Sequence, residues 1–355
     1  MNSVKYIGLD VHESSISAAV RNAAGELILE CTFRTERQAL LDFIGGLRGT
    51  LHVAFEEGTH AAWLYEQLRG RVARVVASDP RKNALLKSGS KSDRVDARKL
   101  SELLYAGLLT AVYHGEHGLE TLKELGRSYV SLTEDTTRIL QRLKAIYRGR
   151  AIGTAGKKLY GQRHRQEWLQ QLSDAGRRER AERLYAQLDE VQRLRQQARR
   201  QWIAESRKHA AYACLRSVPF LGPIRTALLL AWVQTPHRFR TKRQFWAYCG
   251  LGLETRSSAD YQVVDGQLQR RKRPVFIRGL NWNHNHELKN VFKSAATTAR
   301  ARPGPWQEFY QVRLEKGIAP QLARLTLARK IAAVALALWK KGAKFDIRHL
   351  QLQAA

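Results

Sequence analysis

Between residues 5 and 105 the apolar positions switch repeatedly between a period of two and a period of three to four. Strand-like runs cover Lys5–Val11 (KYIGLDV), Ile16–Val20 and Leu27–Phe33, with a hairpin turn at Asn22-Ala23-Ala24-Gly25. Helical spacing follows over Glu36–Leu47, then a strand at Leu51–Phe55 that ends in Glu56-Glu57. His60–Leu68 is helical, Val72–Val76 is a strand closed by a turn at Asp79-Pro80, and Asp96–Tyr105 is a helix. Three antiparallel strands followed by alternating helices and strands predict a mixed sheet of α/β class.

From about Leu122 to Arg207 the pattern changes. Gly and Pro thin out, and Leu, Arg, Gln and Glu dominate. Leu184, Leu188, Val191 and Leu194 recur at three- and four-residue steps within Arg180–Arg200, which predicts an amphipathic helix with coiled-coil character. Its apolar stripe requires a partner, in a helical hairpin or an oligomer contact. A strut and an Arg-lined nucleic-acid groove both fit its polar face. From Ala211 the composition is mixed again, and Ser217–Trp232 (SVPFLGPIRTALLLAW) is a tight turn followed by an apolar helix. Gly222-Pro223 suits either a helix-hairpin-helix turn offering N–H groups to phosphate or a plain interhelical turn. The expected division is an α/β domain over 1–110, a helical coiled-coil region over 111–210 and a mainly helical domain over 211–345.

Charge narrows the function. The 355 residues carry a formal net charge of +29, which suits neutralisation of a polyanion, and phosphate backbones are the commonest large one. Cys31, Cys214 and Cys249 are few, odd in number and far apart, so neither a disulfide framework nor a cysteine zinc site is expected. MNSVKYIGLDVHESS lacks a basic segment followed by a long apolar run, so no signal peptide is expected. The apolar run Ile331–Trp339 falls short of the ~20 residues that span a bilayer and reads as a packed helix, with no membrane partner. A soluble, cytoplasmic protein is expected.

The chemistry resides in carboxylates. Asp10 ends one apolar strand and Glu56 another, positions where an acid is costly to bury unless it is paired or bound to metal. Asp93 and Asp96 lie three apart in Lys-Ser-Asp-Arg-Val-Asp-Ala, so on a helix they share a face. Four converging acids repel one another, and divalent cations with hard oxygen preference, Mg²⁺ above all, relieve that repulsion. Taken singly, Asp10 also reads as a turn residue and Asp93 as a helix N-cap.

The segments IGLDVHESS, AFEEGTHAAWLYEQL, ASDPRKNALLKSGSKSDRVDARKL and LRSVPFLGPIRTALLLAWVQTPHRFRTKRQFWAYCGLGLETRSS resemble the transposases of insertion-sequence family 110, the bridge-RNA-guided DNA recombinases. The resemblance implies an N-terminal RuvC-like (ribonuclease H-like) domain, whose Asp-Glu-Asp-Asp tetrad falls on Asp10, Glu56, Asp93 and Asp96. Where the family commonly has Glu-Ala-Thr-Gly, this chain reads Glu56-Glu57-Gly58-Thr59, so Glu57 stays an alternative. The resemblance also implies a C-terminal transposase domain with a nucleophilic serine, here Ser258, with Ser257 in contention because Ala259 replaces the usual Gly. It implies a bacterial enzyme that cuts and rejoins DNA near the nucleoid. Its partners are donor and target DNA, a structured non-coding RNA and further copies of the chain, as a dimer or tetramer.

Arg256, Lys272 and Arg273 lie near that serine in sequence and suit phosphate neutralisation or backbone holding. Arg238, Arg240, Lys242 and Arg243 interleave with Phe239, Phe245 and Trp246, which fits nucleic-acid contact by charge and stacking or a solvated face over a core. In Asn281–His286 (NWNHNH), His284 and His286 have no third metal ligand beside them, so hydrogen bonding or packing is expected. Two other readings remain: a metal-dependent junction-resolving nuclease that needs only the tetrad, and a basic RNA-binding scaffold that needs none of it.

Overall fold

The structure is a computed structural model that describes residues 3–82, 92–115, 119–255, 261–270 and 277–348. The chain divides into two compact units, Met1–Glu116 and His117–Ala355, and each is taken by itself.

The first unit is built on strands β1 (Val4–Val11), β2 (Ser15–Arg21) and β3 (Leu27–Arg34), followed by helix α1 (Arg37–Gly45), strand β4 (Thr50–Glu56), helix α2 (Ala61–Leu68), strand β5 (Arg74–Ser78) and helix α3 (Asp93–Tyr105). The strands form one sheet in the order β3-β2-β1-β4-β5. β1, β2 and β3 are antiparallel neighbours, while β4 runs parallel to both β1 and β5. This is the mixed sheet that the element order predicts, and it agrees with the RuvC-like domain that the resemblance implies. β5 starts two residues later than expected, because Arg71 and Val72 are still bonded back to Leu68 at the end of α2.

Alternation divides the sheet. Ile7, Leu9, Val53 and Phe55 point to one face, where they form a core with Leu40 and Ile44 of α1 and Leu64 and Leu68 of α2. The other face receives α3. A Cβ on Gly8 would lie 2.3 Å from the Ala97 carbonyl oxygen and 2.5 Å from the Ser101 nitrogen, so only glycine lets α3 seat directly on β1. Arg98 pairs with Glu30 on β3, and Arg21 on β2 reaches Ser101 and Glu102, which fixes the helix across the sheet.

The second unit begins with the long helix α4 (Glu120–Arg148), then α5 (Arg165–Gln170) and α6 (Ala175–Arg207). The stripe on α6 finds its partner in α4: Leu184 and Leu188 share a core with Ile139, Leu143 and Tyr147. This is the helical-hairpin solution. Helices α7 (Ala211–Ser217), α8 (Pro223–Val233) and α9 (Lys242–Tyr248) follow, then strands β6 (Leu253–Thr255), β7 (Tyr261–Val264), β8 (Gln267–Arg270) and β9 (Ile277–Leu280). The chain closes with α10 (His286–Arg300), α11 (Pro305–Glu315) and α12 (Pro320–Lys341). The apolar run Ile331–Trp339 lies inside α12 and supplies the centre of a core that also takes Leu122 from α4 and Trp202 from α6. No described helix is long and apolar enough to cross a membrane.

Candidate active site

α3 begins where the tetrad reading needs it to begin. Ser92 caps the helix by accepting from the Val95 N–H at 3.3 Å. Capping therefore does not occupy Asp93, and both Asp93 and Asp96 sit in the first turn, where the helix dipole favours negative charge. With α3 seated on Gly8, that first turn lies against the end of β1, at Asp10.

Asp10 is on the α3 face of the sheet and its side chain is one-fifth exposed. Burial raises its pKa above the ordinary carboxylate value, His12 opposes that rise, and the charges of Asp93 and Asp96 add to it. His12 Nε2 lies 3.1 Å from Asp10 Oδ2 and 3.3 Å from Asp93 Oδ1, so it bridges the two acids. Ligating atoms of Asp10, His12 and Asp93 all fall within 4.8 Å of one another. Asp96 Oδ1 is buried and has no hydrogen-bond partner. Hard carboxylate oxygens around an orphaned buried oxygen fit a divalent cation.

Sequence reasoning missed His12. The signal was period two: residues 10 and 12 share a face at the end of β1. Local bonds hold His12 in place, since its N–H donates to the Ser15 carbonyl at 2.9 Å and its own carbonyl accepts from Thr35 Oγ1 at 2.9 Å.

Glu56 ends β4, one step past the Leu9–Phe55 pair of the parallel ladder, so it lies beside Asp10 on the α3 face. It falls outside the 4.8 Å cluster. Glu57 follows the strand and bonds His114 Nε2 at 2.6 Å, and that imidazole stacks on Tyr65. Placement thus separates the neighbours: Glu56 shares the face of Asp10, while Glu57 is engaged elsewhere.

In the second unit, Ser257, Ser258 and Arg256 lie outside the described residues, as do Lys272 and Arg273. Arg240, Lys242 and Arg243 are exposed. A capping box between Thr241 and Gln244 starts α9 and sets this arrangement, turning Phe245 inward one turn later. Phe239 and Phe245 are core residues at 5% and 1% exposure, so neither is available to stack on a base. Arg238 is half-buried, with its guanidinium 4.6 Å from the Tyr248 ring and 5.1 Å from the Phe239 ring. The charge of this stretch faces out, and two of its aromatics belong to the fold.

The Gly222-Pro223 pair is the start of α8, separated from α7 by a four-residue turn. Beside it, Arg225, Asn290, Lys293, Ser294, Thr297 and Arg324 line a cleft of about 550 Å³. Arg199, Arg200 and Arg207 line another, of about 510 Å³, along α6. His284 is satisfied without metal: Nδ1 donates to the Asn281 carbonyl at 2.5 Å, which leaves Nε2 to accept from Lys289 at 3.2 Å.

A mixed five-stranded sheet with carboxylates at one strand end, followed by a strongly basic helical unit, defines an enzyme of the RuvC-like class that acts on nucleic acid. Two family models match the chain: one described as a transposase, the DEDD transposase of IS110, over residues 7–149, and one described as the transposase of the IS116/IS110/IS902 family over residues 212–311. The chain belongs to the IS110 family of transposases, enzymes that act on DNA, and the DEDD domain implies a divalent metal. No curated protein matches the chain.

Proposed function

We propose that this transposase cleaves and rejoins DNA through a serine–phosphodiester intermediate, with Ser258 as nucleophile and Asp10, Glu56, Asp93 and Asp96 as the Mg²⁺-binding tetrad. The reading is carried by the gathering of Asp10, Asp93 and the orphaned oxygen of Asp96 at one strand end. A bound divalent cation supplies positive charge against the negative charge that builds on a phosphate during transfer. The carboxylates orient it, and His12 holds Asp10 and Asp93 together. The serine Oγ forms a bond to phosphorus as one deoxyribose oxygen departs. The serine hydroxyl gives up its proton, and the departing oxygen takes one up. Reversal by the exchanged strand restores the diester, so no nucleotide hydrolysis is needed.

The basic unit holds the polyanion. Arg240, Lys242 and Arg243 sit at the N-terminal end of α9, where cations gain nothing from the helix dipole. Their placement there suits a role outside the helix. We assign phosphate contacts to them and to Arg238, Arg256, Lys272 and Arg273. We further propose a structured non-coding RNA as guide, a dimer or tetramer as the working form, and action in the bacterial cytoplasm at the nucleoid. We assign 111–210 to a helical coiled-coil region and 211–345 to the serine-bearing transposase domain.

The test is a denaturing gel of protein, labelled DNA, RNA and Mg²⁺. A covalent protein–DNA band is expected, and Ser258→Ala abolishes it while leaving binding. Full recombination in both Ser258→Ala and Ser257→Ala would overturn the serine step. Cut DNA with free ends and no adduct would instead favour a junction-resolving nuclease. Full function in an Asp10→Ala, Asp93→Ala double variant would leave only an RNA-binding scaffold.

A further inference from the structure

Trp282 is the most exposed large apolar side chain among the described residues, at 83%. A tryptophan in that position forgoes most of the hydrophobic gain of burial. The loop beneath it is held by a dense set of bonds. Asn281 Nδ2 donates to the Asn283 carbonyl at 2.9 Å, and the Asn283 N–H donates back to Asn281 Oδ1 at 2.8 Å. The Asn281 N–H reaches the Gly252 carbonyl at 3.3 Å and the Asn285 N–H reaches the Tyr248 carbonyl at 2.9 Å, so both ends of the loop are tied to the segment around α9 and β6. His284 packs on Gly250, where a Cβ would lie 2.4 Å from the imidazole and where φ is +65°. Asn285 caps α10 through the Leu288 N–H at 2.9 Å. The indole is thus presented outward from a rigid base.

Its surroundings indicate what it meets. Its chain neighbours Asn281 and Asn283 to His286 are all polar, and Lys289 bonds His284 of the same loop at 3.2 Å. The unit that carries it has a net charge of +28, and an exposed aromatic ring on a strongly basic unit suits stacking on a nucleobase while the cations hold the phosphates. Leu280 pairs with Leu253, and β6 ends at Thr255, directly before Arg256-Ser257-Ser258 in the chain.

We propose that Trp282 is a stacking platform for an unpaired DNA base. The proposal rests on the strand-exchange reading above, since strands must unpair to exchange. The test uses the full chain and a 20-nucleotide oligo-dT, read by tryptophan fluorescence and by Kd. Wild type is expected to be quenched on binding. Trp282→Leu should lose most of that quench and bind about 5- to 150-fold more weakly, the equivalent of ~1–3 kcal/mol of base stacking, with an unchanged melting temperature. Trp282→Tyr should recover most of the affinity.

Wild-type affinity and quench in Trp282→Leu would overturn the inference while leaving the serine reading intact. A Trp282-dependent quench in a protein that never forms the Ser258 adduct would do the reverse. The same Trp282-dependent quench with oligo-U but not oligo-dT would transfer the platform from DNA to RNA and so overturn the proposal. A change in mass by light scattering in Trp282→Leu, with DNA binding intact, would make it a contact between copies instead.

Discussion

The two units put charge to opposite uses. Residues 1–116 carry 15 Lys and Arg against 14 Asp and Glu, a net of +1, while residues 117–355 carry 46 against 18, a net of +28. In the first unit a sheet and a helix bring acids together at one strand end. In the second, Arg199, Arg200, Arg207, Arg240, Lys242 and Arg243 are spread over exposed positions. A cluster of acids repels a phosphate at close range and cannot hold one unaided. The attraction has to be supplied by a cation at the cluster and by the basic unit. Substitutions should therefore separate into two groups with little cross-talk.

The largest expected effect tests the seat of α3. Gly8→Val puts side-chain atoms into the backbone of Ala97 and Ser101, so α3 must lift and carry Asp93 and Asp96 away from Asp10. The first unit should lose its cooperative melt and its divalent-cation thermal shift, while the second unit still melts. An unchanged first-unit melt would mean that α3 does not rest on β1.

The second effect belongs to the other unit. Trp202 is fully buried and stacks on Tyr129 with ring centroids 5.3 Å apart. Trp202→Ala should cost ~3–5 kcal/mol by urea unfolding, and should leave the cation-dependent shift of the first unit untouched. Equal loss in both would show that the units do not unfold independently.

Which parts of this were legible in the sequence follows from physics at each place. The first unit was read almost element by element, because a half-buried sheet forces strict alternation and each turn carries its own residues, as at Asn22–Gly25. Asp10, Glu56, Asp93 and Asp96 stood out because charge at a strand end or in a first helical turn is conspicuous. His12 did not, because a histidine beside an acid has many ordinary roles and only the packing of α3 brings Asp93 to it. Helix α6 was visible as a stripe, but its partner α4 lies across a long connection and no local pattern names it. The Arg-aromatic stretch at 238–246 left two readings open for a related reason. Phe239 and Phe245 have the same composition whether they face a base or a core, and the capping box at Thr241 decides which. Trp282 went unnoticed because the histidines beside it invited a metal question instead.

The smallest effect sharpens the contrast by sign. Arg165 on α5 bonds both carboxylate oxygens of Asp189 on α6 and lies 4.8 Å from the Tyr185 ring. That pairing holds Asp189 below the ordinary carboxylate value. A depressed folded-state value means that the stabilisation is present above the unfolded-state value and is lost as pH falls through the folded one. Asp189→Asn should cost about 1 kcal/mol at neutral pH, given the partial exposure of the pair, and should remove the matching part of the acid sensitivity of the second unit. Asp10 points the other way. Burial raises its value, with Asp93 and Asp96 adding to the rise, so its charge opposes folding of the first unit unless a cation is present. With chelator, Asp10→Asn should hold or slightly raise the first unit's melting temperature, and with divalent cation it should lower the shift seen in wild type. A drop in chelator comparable to that of Asp189→Asn would mean that His12 more than offsets the burial of Asp10, and that the acids of the two units are held in the same way.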